Sequence, residues 1–180
     1  MKLLLDAGHG GNDPGAVNTD LNLKEKDKTL EVALKIGTIL NEKGHSVRFI
    51  RIDDTYISPI GRLKLINEYR PDCFISIHCN ASSNPSAYGL ETIYRDSYDY
   101  PLAQAVHISL LSGTDFTDRG IKNDIKDLGR KLAVLGNLEV PACLIEIGFL
   151  SNEDDVEIQK NTDNIANLIV EGIEEWESEI

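Results

Sequence analysis

The chain has 180 residues, of which 41% are hydrophobic and 27% charged, and its formal net charge is −12 at pH 7. These proportions are ordinary for a folded domain in water, and the length is too short for two domains of usual size. The strong negative charge argues against binding to nucleic acid or to an anionic membrane. The sequence also lacks the run of roughly 18 apolar residues that a membrane-spanning helix needs.

Strand-like and helix-like segments alternate along the chain. Strands are predicted at short apolar runs, and helices where apolar residues recur at helical spacing. Ser58 followed by Pro59 is typical of a helix start, and Gly44 of a helix end. The predicted elements in chain order are strand Lys2–Leu5, helix Lys26–Lys43, strand Val47–Ile50, helix Ser58–Tyr69, strand Cys73–Ile77, strand Leu90–Tyr94, helix Pro101–Leu111, strand Leu132–Leu135, strand Cys143–Ile147, helix Glu153–Gln159 and helix Thr162–Trp176.

This alternation predicts an α/β fold in a single domain, residues 1–180. The helices are long enough to connect parallel strands, so we expect a twisted, mainly parallel sheet of about six strands with helices on both faces. The apolar start Leu3–Leu5 is too short for a signal peptide and has no cleavage site after it. Cys73, Cys79 and Cys143 have no CxxC spacing, which predicts buried free thiols and folding in a reducing compartment.

Three chemically capable side chains lie where predicted strands end. His9 follows the first strand, His78 follows Cys73–Ile77, and Glu146 stands near the end of Cys143–Ile147. The carboxyl ends of parallel strands line one crevice, so these side chains are expected to converge. A catalytic zinc takes about three protein ligands, and the two histidines therefore need a third donor.

The third donor is expected near the start of the first helix. Glu25 and Asp27 both lie there, and Glu25 is the better candidate if it faces the sheet edge. Glu146 then remains available as a base, because a carboxylate within an apolar run is rarely buried without a partner or a task. The glycines between Gly8 and Gly15 offer a competing hypothesis, a phosphate cradle. Their spacing fits neither G-x-G-x-x-G nor a P-loop, which argues against it.

Four blocks of this sequence together resemble the zinc-dependent N-acetylmuramoyl-L-alanine amidases of the type 3 family. Each block carries one of the polar residues described above, and the resemblance covers essentially the whole chain. The blocks are Asp6–Ala16, Glu25–Asp27, Ser76–Ala81 and Glu146–Asn152. Shorter matches in the family's order are Arg62, Gly89–Glu91, Arg119–Gly120 and Pro141–Ala142.

The resemblance implies a peptidoglycan hydrolase that holds one Zn²⁺ ion. The ligands it implies are His9, Glu25 and His78, and the catalytic residue is Glu146. The bond cleaved would join the lactyl group of N-acetylmuramic acid to L-alanine of the stem peptide. Four further residues are candidates for orienting the ligands or binding substrate: Asp6, Asn80, Arg62 and Glu91.

Two features bear on access to this site. The family commonly has alanine where this chain has Cys79, a thiol beside a ligand that is able to capture metal or oxidise. The loop Ser82–Tyr88 has no recognisable extra helix, whereas autoinhibited relatives carry an inserted segment about there. The resemblance therefore implies a site that is open without an activating step.

Other function classes remain as alternatives. A zinc peptidase or deacetylase would use the same ion, although no HExxH motif is present. A non-catalytic wall-binding module is disfavoured because all four implied site residues are intact. We expect a chain made in the cytoplasm that reaches the wall by phage-type lysis or another secretion route. We also expect a C-terminal wall-binding domain, missing from this chain, to supply affinity for the wall.

Overall fold

The computed structural model describes residues 1–84, 86–136 and 138–180. The strands are β1 (Lys2–Ala7), β2 (Val17–Asn18), β3 (Leu23–Lys24), β4 (Ser46–Phe49), β5 (Cys73–Asn80), β6 (Leu90–Tyr94), β7 (Asp118–Asn123) and β8 (Ala142–Phe149). The helices are α1 (Glu25–Glu42), α2 (Pro59–Tyr69), α3 (Tyr100–Gly113), α4 (Glu153–Gln159) and α5 (Thr162–Ser178), with a 3₁₀ turn at Ala133–Leu135. No described helix is both long and apolar enough to cross a membrane.

Six strands form one mixed sheet in the order β4-β1-β5-β8-β6-β7. The first four run parallel, β6 is antiparallel to β8, and β7 is parallel to β6. The predicted α/β fold with a mainly parallel sheet is confirmed. Because β6 runs in the opposite direction, its first residues lie at the same end of the sheet as the last residues of β1, β5 and β8.

Helices cover both faces of the sheet. On one face, α1, α3 and α5 pack over alternate strand residues such as Leu3, Leu5 and Ile75, and Trp176 closes that core. On the other face, α2 and the 3₁₀ turn cover a smaller core. Alternate strand residues point to opposite faces, so this second face also receives Asp6, His78 and Glu146 farther along the same strands.

One predicted strand is wrong, and one strand of the described six-stranded sheet was not predicted, nor was the short pair β2 and β3. Leu132–Leu135 forms no strand. Its residues Ala133–Leu135 make a 3₁₀ turn that packs against α2, and a short apolar run does not distinguish these outcomes by periodicity. The sixth strand is instead β7, with the polar sequence DRGIKN. An edge strand with an exposed side carries polar residues and gives little apolar signal.

Candidate metal and catalytic centre

The first strand delivers His9 through an unusual backbone conformation. His9 has a φ of 61°, in the left-handed region, and Gly10 and Gly11 follow with positive φ. Such a conformation is rare for residues other than glycine and needs support from its surroundings. The turn is closed by two backbone hydrogen bonds between Gly10 and Asp13, of 2.9 and 3.0 Å. It directs the His9 ring toward the start of α1.

His9, Glu25 and His78 converge around the Glu25 carboxylate. Nε2 of His9 lies 3.1 Å from Oε2 of Glu25, and Nδ1 of His78 lies 2.9 Å from Oε1. The two imidazole centroids are 5.0 Å apart, with an angle of 76° between the ring planes. One candidate ligand atom from each residue lies within 4.8 Å of the others. Of the two acidic candidates for the third donor, Glu25 lies in this group.

Backbone donors also fix the Glu25 carboxylate. The amide N–H of Ala16 donates to Oε2 at 2.8 Å, and that of Cys79 donates to Oε1 at 3.0 Å. Glu25 is 4% exposed. Burial would raise its pKa, but the hydrogen bonds and charges of His78 and His9 hold the pKa well below its usual range. The carboxylate therefore stays ionised and fixed in place.

The same contacts act on the imidazoles. Burial lowers the pKa of His9, but hydrogen bonds and charges from Glu25, then Asp13, outweigh it and raise the pKa to about 9. The pKa of His78 is also raised, because the Glu25 hydrogen bond and nearby carboxylate charges outweigh burial. The carboxylates of Glu25 and Asp13 thus give this cluster a negative field, which favours a bound proton or a metal cation.

Two of the predicted supporting residues lie directly beneath this cluster. Arg62 forms an ion pair with the fully buried Asp6 and donates to the carbonyl of His9 at 2.7 Å. Asp6 also accepts a hydrogen bond of 2.8 Å from Ser76 Oγ. The Arg62 guanidinium thus ties α2 and β1 to the backbone that carries His9.

Two supporting residues were missed by the sequence reasoning. Asp13 accepts from Nδ1 of His9 at 2.9 Å, the outer contact that usually orients a metal-bound imidazole. Arg51 donates to the carbonyl of Gly8 at 2.8 Å and to that of Lys26 at 2.7 Å. The signal for Arg51 was present, since it is a charged residue directly after the predicted strand Val47–Ile50. Asp13 gave no comparable signal within its polar turn.

Glu146 lies beside the cluster on the neighbouring strand. It pairs in register with His78 of β5 on one side and with Glu91 of β6 on the other. Its Oε2 atom is buried and has no hydrogen-bond partner among the described residues. Burial raises the pKa of Glu146 to about 7, with the Glu25 and Glu91 charges adding and those of His78 and Arg130 opposing. Its carboxyl group is therefore suited to exchange a proton near neutral pH.

The remaining two candidates occupy different positions. Glu91 lies next to Glu146 and forms ion pairs with Arg119 and Lys122. The Asn80 side chain accepts from the backbone N–H of Ala81 at 3.0 Å, and no hydrogen bond to the cluster is recorded for it within the described ranges. A role for Asn80 in orienting the ligands stays a prediction without a contact to support it.

The donor set fits a divalent cation of the zinc type. Two imidazoles and one carboxylate, held within reach of one another, are a common ligand set for catalytic zinc. The unpartnered Glu146 oxygen lies nearby, where a water-activating base belongs. All three cysteines are free and buried, and none belongs to this donor set.

The chain is similar to known proteins over nearly its whole length. Residues 3–175 match the family model described as "N-acetylmuramoyl-L-alanine amidase". The "Germination-specific N-acetylmuramoyl-L-alanine amidase" of Bacillus subtilis (strain 168) is 34% identical over 95% of this chain and 77% of that protein. The sporulation-specific amidase of the same organism is also 34% identical, and there the match covers 93% of this chain but 64% of the relative.

A solved structure shows the same fold. The crystal structure of N-acetylmuramoyl-L-alanine amidase from Clostridium difficile 630 superposes with a TM-score of 0.89 and is 36% identical. The alignment covers 98% of this chain and 96% of that one. The likeness therefore extends over the whole sheet and its helices.

Proposed function

We infer that this chain, which belongs to the N-acetylmuramoyl-L-alanine amidase family, is a zinc-dependent peptidoglycan hydrolase. The bond it cleaves is the amide between the lactyl group of N-acetylmuramic acid and L-alanine of the stem peptide. One observation carries the proposal: His9, Glu25 and His78 converge beside Glu146, whose buried Oε2 atom has no hydrogen-bond partner among the described residues.

His9, Glu25 and His78 would hold the ion. When bound, zinc supplies Lewis acidity that polarises a carbonyl and makes water more acidic. The chain's part is to keep the three donors preorganised. Arg62 and Asp13 fix His9 from its carbonyl and its Nδ1 side, and backbone donors fix Glu25. Little reorganisation is then left to the moment of reaction.

Glu146 provides the proton transfer. A pKa of about 7 lets the carboxylate accept a proton from the attacking water and then donate it to the departing alanine nitrogen. An amide nitrogen is a poor leaving group until it is protonated, and the proton that Glu146 takes from water is available for that second step. Glu146 is positioned for this because it is the register neighbour of His78.

The biological setting of the reaction stays a prediction. The two curated relatives described above are named for germination and for sporulation. The phage-type lysis and the separate wall-binding domain expected from the sequence are proposals that the comparisons do not carry. Peptidoglycan is the partner that the family implies.

Mass spectrometry of fragments released from purified peptidoglycan tests the function. We expect stem peptides with a free N-terminal alanine and glycan with free lactyl carboxyl groups. Release should stop with a chelator and return with added Zn²⁺. Cleavage within the stem peptide, or loss of acetyl groups from the glycan, would instead show a peptidase or a deacetylase. Wall binding without any release would show a binding module.

A further inference from the structure

Two cations flank the catalytic carboxyl on the side away from the metal ligands. Arg119 Nε and Lys122 Nζ both donate to Oε1 of Glu91, the latter at 2.8 Å. Glu91 is the register partner of Glu146, and directly opposed residues of an antiparallel pair point to the same face. The Glu91, Arg119 and Lys122 group has a net charge of +1 and lies beside Glu146.

The Arg119 side chain is held in place. Its guanidinium lies 5.0 Å from the centroid of the Phe149 ring, and Nη1 donates to the carbonyl of Tyr88 at 3.3 Å. A Cβ atom on Gly89 would lie 3.0 Å from Arg119 Cγ, so the stem packs over this glycine. Nη2 has no partner among the described residues. With its side chain 34% exposed, Arg119 presents a fixed, unused donor to solvent.

A third cation completes the set. Arg130 is exposed, and its guanidinium has no ion pair or hydrogen bond within the described parts of the chain. Its backbone N–H donates to the carbonyl of Asp124 at 3.0 Å, which fixes the start of the side chain. Arg130 interacts electrostatically with the carboxyl group of Glu146, the residue that Glu91 also adjoins.

These three cations are exceptional in a chain with 30 acidic and 18 basic residues. Glu91 neutralises one of the positive charges, so the surface beside Glu146 has an excess of two. An unpaired positive charge next to a proton-transfer group costs little if substrate supplies its counter-ion. Stem peptides carry carboxylates, and Arg recognises carboxylates through paired N–H donors.

We propose that Arg119, Lys122 and Arg130 form a cationic patch that binds a carboxylate of the stem peptide. The patch would thus select stem peptides that carry a negative charge next to the scissile amide. The inference rests on the proposed function and adds a specificity determinant to it. Glu91 acts as a positioning residue that holds Arg119 and Lys122 toward the substrate.

Two soluble probes that differ in one group test the cationic patch. One is N-acetylmuramoyl-L-alanyl-D-glutamate, with a free α-carboxylate, and the other is its α-carboxamide. For the wild type loaded with zinc, we expect kcat/KM to be about tenfold higher on the carboxylate, the factor typical of one charge-assisted hydrogen bond. The Arg119→Gln and Arg130→Gln variants should each lose most of this preference, because kcat/KM should fall more on the carboxylate than on the carboxamide.

Arg48→Gln is the matched control, because Arg48 lies on β4 at the opposite edge of the sheet. It should leave both rates unchanged. Arg130 is exposed, so its variant is expected to fold even if Arg119→Gln disturbs Glu91. Equal values of kcat/KM on the two probes in the wild type, or an equal loss on both probes in Arg130→Gln, would overturn the proposal of a cationic patch.

A binding measurement separates this inference from the reaction itself. Calorimetry of zinc-loaded Glu146→Gln with the two probes needs no turnover. Tighter binding of the carboxylate probe, reduced when Arg130→Gln is added, would support the cationic patch. This holds even if neither probe is hydrolysed, and that absence of hydrolysis would count against the proposed function alone. Equal affinities for both probes would refute the cationic patch and leave the result of the hydrolysis assay unaffected.

Discussion

Residue 8 must be glycine for a steric reason. A Cβ atom there would lie 2.5 Å from Cε1 of His78 and 2.7 Å from each ring nitrogen. The imidazole of His78 therefore packs directly against the backbone that leaves β1. Gly15 has a similar role beside Glu25 and His9, where a Cβ atom would lie 2.4 Å from Oε2 of Glu25.

Gly8→Ala should lower zinc affinity by about 10- to 100-fold, because the methyl group displaces His78 from the other ligands. Competition with a chromophoric chelator measures the affinity. Gly61→Ala is a suitable control, since its Cβ would meet only Ile57 and Ser58 side-chain atoms at 3.2 and 3.3 Å. Unchanged zinc affinity in Gly8→Ala would show that His78 does not bind the ion in this position.

Glu146→Gln should retain zinc and lose about 10²- to 10⁴-fold in kcat, because the amide cannot accept a proton. Elemental analysis checks the metal, and release of N-terminal alanine checks the rate. Glu139→Gln, a change at an exposed residue just before β8, serves as control. A variant that hydrolyses at the wild-type rate would exclude Glu146 as the base.

The residues of the site differed in how visible they were in the sequence. His9, His78 and Glu146 interrupt or end apolar runs, so a polar residue was conspicuous there. In the cationic patch, Arg119 was indicated only by the family match at Arg119–Gly120, and Lys122 gave no signal, because both lie in a polar edge strand. Their relation to Glu146 depends on the direction of β6, which local periodicity does not encode.

At the scale of elements, α2 connects stability to the site. Ser58 Oγ accepts from the backbone N–H of Gly61 at 3.1 Å, and α2 carries Arg62, which holds the His9 carbonyl. Ser58→Ala should reduce the free energy of unfolding by about 1 kcal/mol, because one N-terminal amide loses its acceptor. Denaturant unfolding measures it, and Ser178→Ala at the end of α5 provides the control. An unchanged midpoint would show that water replaces the cap.

The loop after β7 depends on a buried ion pair. Asp124 is fully buried and accepts from Arg95 Nε at 2.7 Å and from the N–H of Leu132 at 2.9 Å. Burial raises the pKa of Asp124, but the Arg95 and Leu132 hydrogen bonds outweigh it and the pKa lies below its usual value. A depressed folded-state pKa stabilises the protein above the unfolded pKa, and the contribution is lost as pH falls through the folded value.

Asp124→Ala should therefore cost about 3 kcal/mol at pH 7, because Arg95 is left buried without its partner. The difference from the wild type should shrink below about pH 4, where the unfolded carboxylate takes up a proton. Urea unfolding at several pH values measures both. Asp115→Ala, at an exposed carboxylate, is the control. A difference that stays constant down to pH 3 would contradict the linkage.

Elements with strong local signals were predicted well, whereas the polar edge strand and the turn before β8 were not. The helix predicted over Ser58–Tyr69 is observed over Pro59–Tyr69, with Ser58 as its N-cap, because Ser58 and Pro59 are strong local signals. β5 and β8 extend past the predicted ends to Asn80 and Phe149, because pairing with neighbours continues a strand through polar residues. The mistaken strand at Leu132–Leu135 and the missed β7 have the same cause: strand formation there depends on partners distant in the sequence.

At the scale of the whole molecule, the net charge of −12 governs the encounter with the wall. Anionic wall polymers should repel the chain at low ionic strength, and salt should screen that repulsion over a Debye length of about 10 Å at 0.1 M. Cosedimentation with purified walls should thus show binding that increases with salt. A cationic protein of the lysozyme type serves as the control, and its binding to the walls should decrease as salt is added. Tight binding that is insensitive to salt would contradict this expectation.

The reversed direction of β6 has a further consequence. β5 ends at Asn80 and β6 begins at Leu90 at the same end of the sheet, so the connection between them does not need to cross a face of the sheet. Extra residues spliced into this connection would hang over the reacting groups while the eight strands kept their registers. The architecture thus offers a place to install a removable plug, and an engineered latent version of the enzyme would begin there.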